Sequence, residues 1–370
     1  MSRWLRRITL MVVVVAAGGC RVPHVTDLFK LDQDLALHDM LASRPRTRVG
    51  SLATSTVSTP FRGCSNLGRH SYRYNVVEKN GIVYTCSGGH LDIAHLRNSA
   101  DWTAHLSALA YYQMKEGVGE FSFELDEDTG CHVHVDYPPD WDCRDDADKA
   151  LLLYDVATGL GRYFAYHASI WHEIVTWFGY KSTGFYSEFA SAFSWEDMYS
   201  NLLGCHIGYA AMYDTQHTFD EAVTLGLQAE LKKLGPQPKN IARHASDLVR
   251  GQWFSGEQPA VIMMGRNFDI GLDDGRVTPW LVPDLTACLD AQPHLLDAPK
   301  LDFLAEHGFA VRFEVEPRLW EKTRILAILY PNGEKHERFE PARQLHVVMD
   351  YIRRDGARRY GTDLAVVHSD

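Results

Sequence analysis

The sequence predicts an α+β protein, a central helical region flanked by antiparallel strands and folded as a single large domain. Three observations carry this expectation. Apolar residues recur at helical spacing from about Ile93 to Met114, from Asp145 to Phe178, and through SAFSWEDMYSNLLG and DEAVTLGLQAELKKLG. Short alternating runs stand before and after that centre, with turn residues between them. No linker divides the centre from the C-terminal third, and no internal repeat or low-complexity tract is present.

In chain order, residues 1–19 read as a lipoprotein signal peptide. Arg3, Arg6 and Arg7 precede the apolar run ITLMVVVVAAGG, which ends at Cys20. The run is short for a membrane span, and AAGGC is similar to a lipobox, in which the Cys is acylated. An ordinary signal peptide cut near Gly19 is the other reading. Residues 20–65, with Pro45, Pro60 and SLATSTVSTP, are expected to form a lipid anchor and tether. The globular domain is then 66–370.

YRYNVVE and GIVYTC are expected as two strands turning at Lys79-Asn80-Gly81, and EFSFELD with CHVHVDY as a hairpin around Glu127-Asp128-Thr129-Gly130. The long helix from Asp145 is expected to break near Gly159 and Gly161. Ser194 and Asp197 have the spacing of a capping box, which starts a new helix there. KNIARHASDLVRGQWF continues the helical centre. AVIMMG, RVTPWLV, AVRFEVEP and RILAILYP read as strands, and QLHVVMDYIRRDG as a closing helix.

A formal net charge of -11 argues against a general nucleic-acid-binding role. Setting Cys20 aside, six cysteines remain, an even number that suggests disulfides in an oxidising compartment. Cys131 with Cys143 is the favoured local pair and Cys64 with Cys86 the next. No CxxC is present, which argues against a cysteine-held structural zinc.

Three constellations could carry chemistry. The first is His172-Glu173 in YHASIWHEIVTWFGY. A His followed by Glu on a helix supplies the first ligand and the general base of a zinc peptidase, but Thr176 stands where the second His belongs. The remaining ligands must come from elsewhere, with Glu188 or His206 downstream as candidates. The alternative is a helix with polar residues turned to water, which the neighbouring Trp171, Ile174, Trp177 and Phe178 disfavour. The second is Asp92 and His95, three apart and so on one helix face. They are suited to one metal ion or to a carboxylate-oriented base, or Asp92 is simply a helix cap. The third is Cys86 in CSGG, a thiol nucleophile at a helix start with His132 or His134 as its base, or else a disulfide partner.

Three segments, TCSGGHLDIAHLRNSADWT, YHASIWHEIVTWFG and SEFASAFSWEDMYSNLLGCHIG, together resemble a bacterial lipoprotein family known as domain of unknown function 4056. The resemblance spans roughly residues 60 to 350. It implies an envelope-anchored protein and no particular chemistry.

The leading expectation is an outer-membrane lipoprotein facing the periplasm and attached through an acyl group on Cys20. It would be a zinc-dependent hydrolase of a peptide or cell-wall substrate. His172, Glu188 and His95 or Asp92 would hold the metal, and Glu173 would be the general base. The alternatives are a non-enzymatic periplasmic binding or scaffold lipoprotein and a cysteine hydrolase using Cys86.

Overall fold

A computed structural model describes residues 37–361 apart from 57, 182–187, 256–260, 319–320 and 334. The signal peptide and Cys20 therefore lie outside the described residues. Among the described residues, the longer elements are five strands and seven helices. They are β1 (Ile82–Thr85), β2 (Gly89–Asp92), α1 (Ile93–Lys115), β3 (Glu120–Leu125), β4 (Thr129–Asp136), α2 (Asp146–Trp177), α3 (Asp197–Met212), α4 (Phe219–Lys233), α5 (Lys239–Leu248), β5 (Ala310–Pro317), α6 (Lys322–Leu329) and α7 (Pro341–Tyr360). The class is α+β. A helical centre of α1, α2 and α3 packs against a three-stranded antiparallel sheet of order β3-β4-β5 and a small β1-β2 hairpin.

The centre forms because α1 and α2 are apolar on most of their surface. Leu96, Ala100, Ala104 and Ala108 of α1 and Leu160, Phe164, Trp171 and Ile174 of α2 are all buried. Each large apolar side chain removed from water contributes about 1.5–3 kcal/mol. Glycines set how closely the helices approach. A Cβ on Gly161 would lie 2.5 Å from the Ser107 backbone nitrogen, and one on Gly204 would lie 2.1 Å from the Leu96 carbonyl oxygen. Gly159 and Gly161 thus let α2 run unbroken past its neighbours, where the sequence suggested an interruption. Asp145 caps α2 by accepting from the Ala147 and Asp148 amides, at 2.8 and 2.9 Å.

Other elements differ from expectation for physical reasons. Residues 72–78 form turns rather than a strand, and GIVYT pairs forward with β2 instead. RILAILYP is helical: Ile325 and Leu329, four apart, share the buried face of α6. An apolar run this short fits either period. The strands in AVIMMG and RVTPWLV shrink to Ile262–Met263 and Arg276–Val277. The 120–136 hairpin forms as expected, and β5 completes its sheet from the far end of the chain.

Part of the segment expected as a tether packs on the body. Leu37, Met40, Arg48, Ala53 and Phe61 are buried. Arg48 anchors it. Its guanidinium bonds Glu78 at 2.6 Å and Asp101 at 2.7 Å, and His70 Nε2 reaches Asp101 at 2.8 Å, all with side chains 0–1% exposed. Asn98 brackets Arg48 with two reciprocal backbone bonds of 2.9 Å. Further along, the Ser51 amide donates to Asp92, and the Ala53 amide donates to Glu196 at 2.9 Å. Residues 47–53 are thereby strapped across the N-terminal end of α1.

The cysteine expectations need correction. Cys86 pairs with Cys288, 202 residues away. Cys131 is free and buried in the sheet, while Cys143 is free and exposed in a 3-10 turn. They do not bond because β4 carries the Cys131 side chain into the core. Cys64 is also free.

Candidate functional site

Three helices, two turns and the strap enclose a cavity of about 530 Å³, lined among others by Gly50, His95, Trp102, Leu125, Glu127, His172, Glu173, Glu188 and Asp197. His95 stands in the first turn of α1, His172 and Glu173 near the end of α2, and Asp197 at the start of α3. Glu127 comes from the β3–β4 turn, and Glu188 from a 3-10 turn after α2. Four residues singled out in the sequence, His95, His172, Glu173 and Glu188, therefore meet around one space. A larger cleft of about 870 Å³ lies between α2, α3 and residues 274–307, and none of the residues singled out lines it. The smaller cavity is the one that gathers the residues singled out in the sequence.

Each imidazole has a carboxylate behind it. His172 Nδ1 lies 2.7 Å from Glu127 Oε1 in a hydrogen-bonded ion pair. His95 Nδ1 lies 2.8 Å from Asp197 Oδ1, close enough for an ion pair though not aligned as a hydrogen bond. The side chains of His95 and His172 remain 22% and 38% exposed, so both rings reach the cavity. Neither Nε2 has a hydrogen-bond partner among the described residues. Which ring nitrogen carries the proton is inferred from these contacts.

Electrostatics follow from this packing. Burial opposes charge on His95, but Asp197, Asp92 and Glu173 outweigh it and lift its pKa to about 10. Burial likewise opposes charge on His172, and its bond to Glu127 with the nearby Glu173 lifts it to about 9. Glu173 is buried, and desolvation with the facing Asp197 raises its carboxyl to about 7, although the Phe193 amide donates to it at 2.6 Å. A carboxyl near neutrality between two imidazoles is placed to exchange protons within the ordinary pH range.

Asp92 does not face the cavity. It is fully buried and accepts from the Ala94 amide at 2.7 Å and from the Ser51 amide, so it is the N-cap of α1 and an anchor for the strap. His206 is bound to the Asp297 carbonyl at 2.9 Å, and His167 to its own helix at Tyr163, also 2.9 Å away. Neither lines the cavity. His132 and His134 pair with Glu316 and Glu314 on the sheet. With Cys86 held in a disulfide, the cysteine nucleophile is lost.

Among the described residues, no group of three or more His, Cys, Asp or Glu side chains is arranged to hold a metal ion. His172 nevertheless has the form of a metal ligand, with Nδ1 held by a carboxylate and Nε2 without a partner, whereas His95 Nε2 abuts Gly50 of the strap, where a Cβ would overlap it. The sequence reading missed Glu127 and Asp197. Asp197 was visible as the third residue after Ser194, but only as a helix-start signal. It accepts the Ser194 amide at 3.2 Å, but the expected capping box does not form, because the helix starts at Asp197 with Glu196 as its N-cap and no side-chain cap; the same carboxylate turns to His95.

A family model described as a protein of unknown function, DUF4056, matches residues 64–279, more than half of the chain. The chain belongs to that family. The DUF4056 match includes every cavity side chain named above except Gly50, which lies in the strap upstream of it. No curated protein and no solved structure matches the chain.

Proposed function

We propose that the cavity is the active site of a hydrolase acting on a peptide or cell-wall substrate, in a protein anchored to the envelope through Cys20. The observation that supports it is the meeting of Glu173 with two carboxylate-backed imidazoles in one partly apolar cavity. Glu173, ionised above about pH 7, takes a proton from water as that water attacks the substrate carbonyl carbon. His172 Nε2–H faces the developing charge on the carbonyl oxygen, and His95, whose Nε2 abuts Gly50, adds its positive charge from the side. Asp197 and Glu127 hold the two rings in place. In an alternative metal form, His172 with its Nε2 deprotonated and Glu188 would hold a zinc ion that supplies Lewis acidity, and His95 would join them only with the strap at Gly50 displaced. Trp102, Leu125, Ala165 and Ala168 give the substrate an apolar wall and exclude water.

The test begins with the metal content of protein purified without chelators, for the native sequence and His172→Ala. Near-stoichiometric zinc lost in the variant supports the metal form. Peptide and cell-wall substrates are then screened against Glu173→Gln. Hydrolysis that survives this substitution unchanged would remove Glu173 as the base, and with it this reading.

A second reading, a non-enzymatic binding or scaffold lipoprotein, is favoured by the lack of a third ligand among the described residues. It expects Glu173→Gln to alter stability and to abolish no activity.

A further inference from the structure

Residues 69–79, RHSYRYNVVEK, form a turn that stands out from the body beside the strap. Val76 is 97% exposed, Val77 52% and Tyr74 43%, and Val49 of the strap, next to Arg48, is 88% exposed. Single exposed apolar residues are common on protein surfaces, but several on one projecting turn are not. Arg69, Arg73 and Lys79 are exposed on the same turn. Its one acid, Glu78, is buried beneath Arg48. Glu221 of α4 is near enough to Arg69 to feel its charge, which leaves Arg73 and Lys79 as the cations away from that acid. Asp220 of α4 is turned inward, accepting the Tyr72 amide at 2.7 Å, so the exposed tip carries apolar side chains flanked by Arg73 and Lys79 on a chain of net charge -11.

The turn is held rigid. The Tyr74 amide bonds the Ser71 carbonyl at 2.7 Å, the Ser71 amide bonds Glu78 at 2.8 Å, and the Val77 amide bonds the Asn75 side chain at 2.9 Å. Tyr74 sits at φ 46°, a conformation an aromatic residue adopts only when its surroundings impose it. Arg48 stacks over its ring at 5.7 Å. The apolar tip is therefore presented in a fixed shape.

The place where the N-terminal segment joins the body indicates what the tip meets. The Tyr72 hydroxyl, in this same turn, donates to the carbonyls of Met40 and Ser43, each at 2.9 Å. The chain thus enters the body beside the turn. The sixteen residues 21–36 that precede the described chain reach no further than roughly 55 Å from Cys20.

We infer that the 69–79 turn is a membrane-contact surface, which seats Tyr74, Val76 and Val77 among the headgroups of an anionic phospholipid bilayer. Arg73 and Lys79 face the lipid phosphates. Anchoring at Cys20 helps to choose the occupant, but the contact is independent of the acyl group and of any catalysis. It turns the strap side of the cavity toward the bilayer.

The test uses residues 20–370 with Cys20→Ser, so that no acyl group is present, in co-sedimentation with phosphatidylethanolamine vesicles with and without phosphatidylglycerol. Binding to the anionic vesicles is expected, weakened at least tenfold by Val76→Asp with Val77→Asp. Arg73→Glu with Lys79→Glu should remove the dependence on phosphatidylglycerol and on salt. These side chains are exposed, and a circular dichroism spectrum confirms that each variant is folded. A native chain that binds neither vesicle, or a Val76→Asp, Val77→Asp variant that binds as well as native, overturns the inference. The second result would mean that lipid is met elsewhere.

Discussion

Two clusters in this protein are built from the same side chains and do opposite things. Around Arg48, one histidine and two carboxylates are sealed from water, with side-chain exposure of 0–1%. Around Glu173, two histidines and their carboxylates border a cavity, with the rings 22% and 38% exposed. In the first, Glu78 and Asp101 each meet Arg48 and a second basic side chain, and although Arg48 borders the cavity its guanidinium is spent on the two carboxylates. In the second, each histidine spends only Nδ1 on its carboxylate. Closure makes a cluster structural, and an unspent nitrogen beside a space leaves it able to act on something else.

The largest effect that would sharpen this contrast is the loss of Arg48. Arg48→Met leaves Glu78 and Asp101 buried without their main counter-charge, and unfolding free energy should fall by about 3–5 kcal/mol in a urea titration. A fall under about 1 kcal/mol would mean that the sealed cluster contributes little, and the contrast would break. Next comes Glu173→Gln, which on the hydrolase reading lowers turnover by about 10²-fold or more. Its melting temperature should hold or rise at pH 8, because a neutral group replaces a buried charge. A large loss of stability instead would class Glu173 with the sealed cluster.

A smaller effect is expected from Asp197→Asn. It removes the charge that holds the His95 pKa near 10, so a histidine NMR titration should show that ring moving down toward its ordinary 6.5. An unmoved ring would mean that Asp197 is not its partner in solution.

The smallest is a pH trend. Glu173, at about 7 against an ordinary 4.5, holds its proton more tightly when folded, so its contribution to stability declines as pH rises from about 4.5 through 7. His95 and His172 are raised as well, so their contribution is full below 6.5 and is lost as pH rises through about 9 to 10. All three slopes have one sign, and thermal melts across that range should show a decline that His95→Gln with His172→Gln makes shallower. On the hydrolase reading, turnover rises as Glu173 ionises near pH 7 and falls as His172 loses its proton near 9.

Much of this was legible in the sequence. The helices of the centre announce themselves by length and period, and the 120–136 hairpin by its turn. The reading failed where the signal was short: RILAILYP fits either period, and the choice was made by burial against α7. Four of the cavity's chemical residues could be named: His172 and Glu173 because they stand in an apolar helix, His95 by its spacing from Asp92, and Glu188 as a ligand type downstream. Their partners could not. Glu127 lies 45 residues from His172, and only the packing of the β3–β4 turn against α2 joins them. The Cys86–Cys288 bond, across 202 residues, is beyond any local argument.

The glycine at 204 has a bearing beyond packing. Leu96, whose carbonyl it abuts, is the next residue after His95, and Asp197 sits two helical turns before Gly204 on α3. The backbone-to-backbone gap between α1 and α3 is thus the ruler that sets the reach from carboxylate to imidazole. One added methyl there would act as a wedge. It would retune the proton affinity of His95 from the back of the helix, with every polar group of the cavity still in the sequence. Genetic variation that silences or adjusts this site therefore has a target among the smallest side chains of the molecule as well as among its charged ones.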